Sequence, residues 1–107
     1  MKLRIEDNSL RLRLSEEEVQ HFADAGRVAA VVPLGPTDTD SLTYALERTE
    51  NEEFRVTYGA GAITVKVPAA LASHWTTTDQ NGISATLMVA DDRPLKILIE
   101  KDLDCQH

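Results

Sequence analysis

The stretch from Leu10 to Phe22, "LRLRLSEEEVQHF", returns 53 positions later as "ITVKVPAALASHW", from Ile63 to Trp75. Leu12 falls on Val65, Leu14 on Val67, Val19 on Ala72, His21 on His74 and Phe22 on Trp75. The match extends both ways: Leu3 falls on Val56, Ile5 on Tyr58, and "LTYALER" from Leu42 on "LKILIEK" from Leu95. Around "TTTDQNG" two extra residues shift the frame, so that Val28, Ala30 and Val32 fall on Ile83, Ala85 and Leu87. Length changes confined to loop-like segments are what a duplicated structural unit shows.

Each copy has the pattern strand, strand, helix, strand, strand. Leu3 and Ile5 alternate with Lys2 and Arg4, and Leu10, Leu12 and Leu14 alternate with Arg11 and Arg13, the period of a half-buried strand. The turn residues of "EDNS" separate the two strands. Ser15 followed three positions later by Glu18 has the capping-box spacing, Val19, Phe22 and Ala23 share a helical face, and Gly26 is placed to end the helix. In the second copy "GAGA" makes the turn, and Pro68 falls where a first helical turn accepts proline. The remaining strands are "RVAAVVP", "SLTYALE", "GISATLMV" and "LKILIEK".

A unit of ~45 residues with four strands and one helix buries too little apolar surface to stand alone. The expectation is therefore a mainly β chain with two short helices, its copies at about 1–48 and 54–102 packed into one pseudo-twofold, barrel-like domain. An acidic linker, 49–53, joins them and 103–107 forms a tail. The expected core is Leu10, Leu12, Leu14, Phe22, Ile63, Val65, Val67 and Trp75.

Composition agrees with a globular chain: 107 residues, 42% apolar and 27% charged. The one cysteine, Cys105, cannot close an internal disulfide, and "MKLRIEDNSLRLRL" alternates charge with aliphatics, so a cytoplasmic protein is expected. No apolar run reaches the roughly 18 residues that span a bilayer, so no membrane partner is expected. With 18 acidic against 11 basic side chains the net charge is −7, which repels nucleic acid at long range.

The order strand, Asn-Ser turn, Arg-bearing strand and capped helix resembles the swapped-hairpin family of antitoxins and transition-state regulators. "DNSLRLRLSEEEV" and "AGAITVKVPAALA" look like two versions of its N-terminal element. The resemblance implies subunits that exchange hairpins, here with the second copy in place of a second subunit, and hence a monomer or weak dimer. In the DNA-binding members, basic residues of the hairpin and of the segment before the helix meet DNA. By that resemblance Lys2, Arg4, Arg11 and Arg13, with Arg55 and Lys66, would be the nucleic-acid-binding residues. Glu6, Asp7 and Glu16 to Glu18 adjoin them, and Thr57 and Thr64 stand where Arg4 and Arg11 stood, which disfavours DNA. The whole run from "MKLRIEDNS" to "ILIEKD" also resembles a family of small bacterial proteins of unknown function.

Nothing in the sequence assembles a catalytic set. His21 and His74 could converge across a twofold axis, but a metal site wants three or four ligands, and only Glu17 lies four positions from either histidine. Cys105 and His107 sit in a terminal tail with no basic neighbour to activate the thiol. The Gly-x-Gly of "YGAGA" is followed by a strand rather than a helix, so it cradles no phosphate. Ser73 and His74 are adjacent on a helix and point about 100° apart. Glu16 to Glu18 complement the dipole at a helix start, and the loop "GPTDTDS", longer than a two-residue hairpin connection, is either a place for a binding site or a mobile acidic loop. The sequence thus points to a non-enzymatic protein-interaction module with no cofactor and an unidentified protein partner. The alternative is a DNA-binding regulator or antitoxin-like protein.

Overall fold

The computed structural model describes residues 1–102. Lys2–Glu6 (β1) and Ser9–Leu14 (β2) form an antiparallel hairpin, with Asp7 in the turn at φ 52°. Ser15 then caps the helix Glu16–Ala25 (α1): its hydroxyl accepts from the Glu18 amide while the Glu18 carboxylate accepts from the Ser15 amide. Gly26, at φ 78°, ends the helix in the left-handed conformation and donates its N–H to the Phe22 carbonyl. Arg27–Pro33 (β3) and Ser41–Thr49 (β4) follow.

The second half repeats that order with Arg55–Gly59 (β5), Ala62–Pro68 (β6), the helix Ala69–Thr77 (α2), Gly82–Ala90 (β7) and Arg93–Lys101 (β8). Pro68 closes β6 and caps α2 instead of lying inside its first turn, and no side chain caps this helix. Its missing N–H costs the helix nothing, because the amide of the residue that caps a helix start has no acceptor within that helix.

The strands form two four-stranded sheets, in the orders β1-β2-β8-β7 and β3-β4-β6-β5. The outer pairs of each sheet are antiparallel hairpins, and the central pairs, β2 with β8 and β4 with β6, are parallel. Parallel neighbours need a long connection. Residues 15–92 supply it between β2 and β8, and residues 50–61, which include β5, supply it between β4 and β6, so the β1–β2 hairpin sits beside β8 and the β5–β6 hairpin beside β4. The registers correspond: Leu3 faces Leu12 as Val56 faces Val65, and Leu12 faces Ile99 as Val65 faces Leu46.

The barrel-like body expected from the sequence is corrected in one respect. The sheets do not close on one another, and β1, β3, β5 and β7 each remain an edge strand. Space that a closed barrel would fill from its own strands is filled from the helices, since Trp75 and Phe22 are the two largest fully buried side chains. Their rings meet edge to face at 6.2 Å. Of the expected core, Leu10, Leu12, Leu14, Phe22, Val65, Val67 and Trp75 are buried, and Ile63 is half-buried against them. Leu46, Ile97 and Ile99 complete a cluster drawn from both halves of the chain. The Trp75 indole N–H donates to the Asn81 carbonyl at 3.0 Å, so even the polar atom of the largest core residue is satisfied.

Candidate functional site

The side chains of a β-strand alternate between faces, so the pairing of β1 with β2 decides where the basic residues go. Lys2 lies opposite Arg13 and Arg4 opposite Arg11, which places all four on the outer face of the first sheet. Like charges directly across a strand pair repel. Acidic side chains offset that repulsion: Glu100, on β8, lies 3.0 Å from Arg13 and 3.6 Å from Arg11, Asp102 lies 3.0 Å from Lys2, and Glu6 lies 3.6 Å from Arg4. A shallow cavity of about 370 Å³ opens among Lys2, Leu3, Arg4, Arg11 and Arg13.

Arg55 and Lys66 do not join that group. They face each other on the second sheet, where Glu47 lies 4.0 Å from Lys66 and 3.2 Å from Arg27. The six residues singled out by resemblance therefore divide four and two between the outer faces of different sheets. A cation that sequence reasoning missed, Lys96, joins the larger group: it pairs with Ser9 on β2 and Thr86 on β7, on the same face as Arg11. The alternation of "LKILIEK" already put Lys96 and Glu100 on one face, but nothing local said that β8 lies beside β2.

His21 and His74 are exposed on α1 and α2, and among the described residues no three His, Cys, Asp or Glu side chains gather as a metal site. Cys105 and His107 lie outside the described residues. Ser73 and His74 offer their carbonyls to the hydroxyls of Thr77 and Thr78, both at 2.7 Å, which ends α2. The glycines of "YGAGA" make the β5–β6 turn. The Gly35 to Ser41 loop folds on itself: the Asp40 carboxylate accepts from the Thr37 hydroxyl at 2.7 Å and the Thr37 amide at 3.2 Å. The loop's Asp40 carboxylate is thus already engaged.

The Glu18 carboxyl has a displaced pKa. Partial burial pushes its carboxyl up, but hydrogen bonds from the N-terminal ammonium and from Ser15 outweigh that and hold it below the ordinary carboxylate range. This is a structural anchor that ties the start of β1 to α1.

A groove of about 650 Å³ lies between the edges β5 and β7. Phe54, Val56, Leu87, Met88 and Val89 supply its apolar part, and Glu53, Arg55, Thr86 and strand backbone make the rest of its lining polar. Met88 and Val89 are 60% and 59% exposed, and β7 carries no charged side chain over its nine residues. Natural edge strands usually bear charge, proline or cover, so an uncharged edge with exposed aliphatic side chains is unusual. The run "GISATLMVA" was legible as uncharged, but its edge position was not.

The fold and these surfaces define a small, mainly β protein of two four-stranded sheets and two helices. The chain belongs to a family of unknown function, DUF7009, whose model matches residues 1–107. No curated protein and no solved structure matches it. Among the described residues, no helix is long and apolar enough to cross a membrane.

Proposed function

We propose that this chain is a non-enzymatic protein-interaction module, built as a tandem duplication in which one polypeptide does the work of a hairpin-exchanging dimer. The duplication is supported by the shared register of the two sheets, Leu12 with Ile99 and Leu46 with Val65. The interaction reading rests on one observation: an uncharged edge strand, β7, with Met88 and Val89 exposed, borders an open groove of mixed apolar and polar lining. Exposed apolar surface beside open backbone donors and acceptors is a feature of strands that pair with other proteins. The cytoplasm fits a chain with a single cysteine.

A photo-crosslinking amino acid placed at position 89, in the cell of origin, tests the reading. Capture of a defined protein from position 89, and not from the opposite end of the molecule, is expected. Recovery of the chain uncrosslinked from every surface position sampled would sink the module reading.

A second reading, DNA binding of the swapped-hairpin kind, is favoured by the collection of Lys2, Arg4, Arg11, Arg13 and Lys96 on one sheet face. Against it stand the three acidic partners Glu6, Glu100 and Asp102. Duplex affinity that falls steeply with salt and disappears in Arg11→Ala/Arg13→Ala would place it first. Absence of binding at low salt would remove it.

A further inference from the structure

We propose that the groove between β5 and β7 receives one extended strand of a partner protein, aliphatic at alternate positions and carrying lysine or arginine at its ends. This rests on the interaction-module reading and names the site and the chemistry of its occupant. The chemistry follows from three observations.

The first is backbone. Both walls of the groove are sheet edges, so each presents main-chain N–H and C=O groups without a strand partner. The ligand that satisfies such a row is another strand, and its alternate side chains point down onto whatever forms the floor. Here the floor is Phe54, Val56, Leu87 and Val89, which select aliphatic side chains.

The second is an asymmetry between the two seams of the molecule. Across the other seam the Tyr44 hydroxyl on β4 donates to the Met1 carbonyl at 2.7 Å, joining the second sheet to the start of β1. The residue 53 positions after Tyr44 is Ile97, which has no hydroxyl, and the one 53 positions after Glu18, the other anchor of Met1, is the exposed Leu71. One seam is latched by hydrogen bonds, and its counterpart has lost both latching groups.

The third is charge. Glu53 lines the groove, Glu50 and Glu52 precede it, and Asp91 and Asp92 form the turn at the end of β7, all exposed. Arg55 is the one cation among the lining residues, and the chain as a whole carries −7. An occupant with basic ends complements that rim. A second copy of the chain does not: it too carries −7, and its own β7 offers no lysine or arginine.

The test uses the full chain and a displayed library of ten-residue peptides with random ends and alternating aliphatic and threonine centres. Expected is enrichment of Lys and Arg at the ends. Amides of β5 and β7 should gain hydrogen-exchange protection on adding the selected peptide. Val89→Lys and, separately, Asp91→Lys/Asp92→Lys should each weaken binding by roughly tenfold or more, with unchanged thermal unfolding. Because Val89 and both aspartates are exposed, these variants should fold. The slot is overturned by failure to enrich any peptide, by enrichment of acidic or uncharged ends, by protection that falls on β3 or on an outer sheet face, or by protection of β7 through dimerisation. A partner crosslinked elsewhere on the surface but not from position 89 would remove the slot and leave the interaction module standing.

Discussion

Glu18 carries three jobs in one carboxylate: it accepts from the Ser15 amide, meets the N-terminal ammonium and completes the cap of α1. Its folded-state pKa is depressed although partial burial alone would raise it. The folded protein therefore binds this proton less readily than the unfolded chain. The resulting stabilisation is complete above the unfolded-state pKa and is lost as pH falls through the folded-state value. Urea midpoints followed from about pH 5.5 down to about pH 3 should decline, and Glu18→Gln should decline less over the same range. Parallel curves would contradict the assignment. Two glycines make a second contrast at this scale. Gly26 and Gly61 both hold positive φ, at 78° and 74°, but a Cβ at Gly26 would meet the movable Arg48 guanidinium at 3.0 Å, whereas at Gly61 it would meet the Ser41 main-chain oxygen at 2.8 Å. Gly26→Ala should cost about 1 kcal/mol, the penalty of the left-handed conformation. Gly61→Ala should cost more, roughly 2 kcal/mol or above, because backbone must move as well. Equal losses on chemical denaturation would show that the Ser41 carbonyl yields freely.

Among the elements, the β5–β6 hairpin has a poor residue at a demanding position. Ala60 adopts φ 51° ahead of Gly61, in a two-residue turn where both φ values are positive, the geometry that favours Asn-Gly. Ala60→Asn should stabilise the protein by about 0.5–1 kcal/mol in denaturant titrations, and a loss of stability would contradict the turn conformation. The strands and helices themselves could be read from local signals: period-two leucines gave β2, Ser15 and Glu18 the start of α1, Gly26 its end. Partner choice could not, because hydrophobic alternation says which face of a strand is buried and not which strand lies beside it. The candidate surfaces depended on that missing knowledge. Arg11 and Arg13 were visibly on one face, but their neutralisation by Glu100 and reinforcement by Lys96 required β2 and β8 to be neighbours. The β5–β7 groove was hidden for the same reason, since an edge is defined only by which strands have run out of partners.

For the whole molecule the defining property is interleaving. Neither half of the chain owns a sheet: each sheet takes one hairpin from residues before Glu50 and one from residues after it. The buried cluster likewise joins Leu12, Leu14 and Leu46 to Val65, Val67 and Ile99. A half on its own would keep its two hairpins but lose both parallel pairings and expose the faces that these side chains now cover. A hairpin pair and one helix of ~50 residues bury too little to offset the lost conformational entropy. The most direct measurement is to divide the chain after Glu50, purify residues 1–50 and 51–107 separately, and follow each alone and mixed by circular dichroism and sedimentation. Interleaving requires that neither fragment unfold cooperatively as a monomer, and that an equimolar mixture regain one cooperative transition as a one-to-one complex. A fragment that folds cooperatively as a monomer would contradict it, and with it the β2–β8 pairing that brings Lys96 beside Arg11.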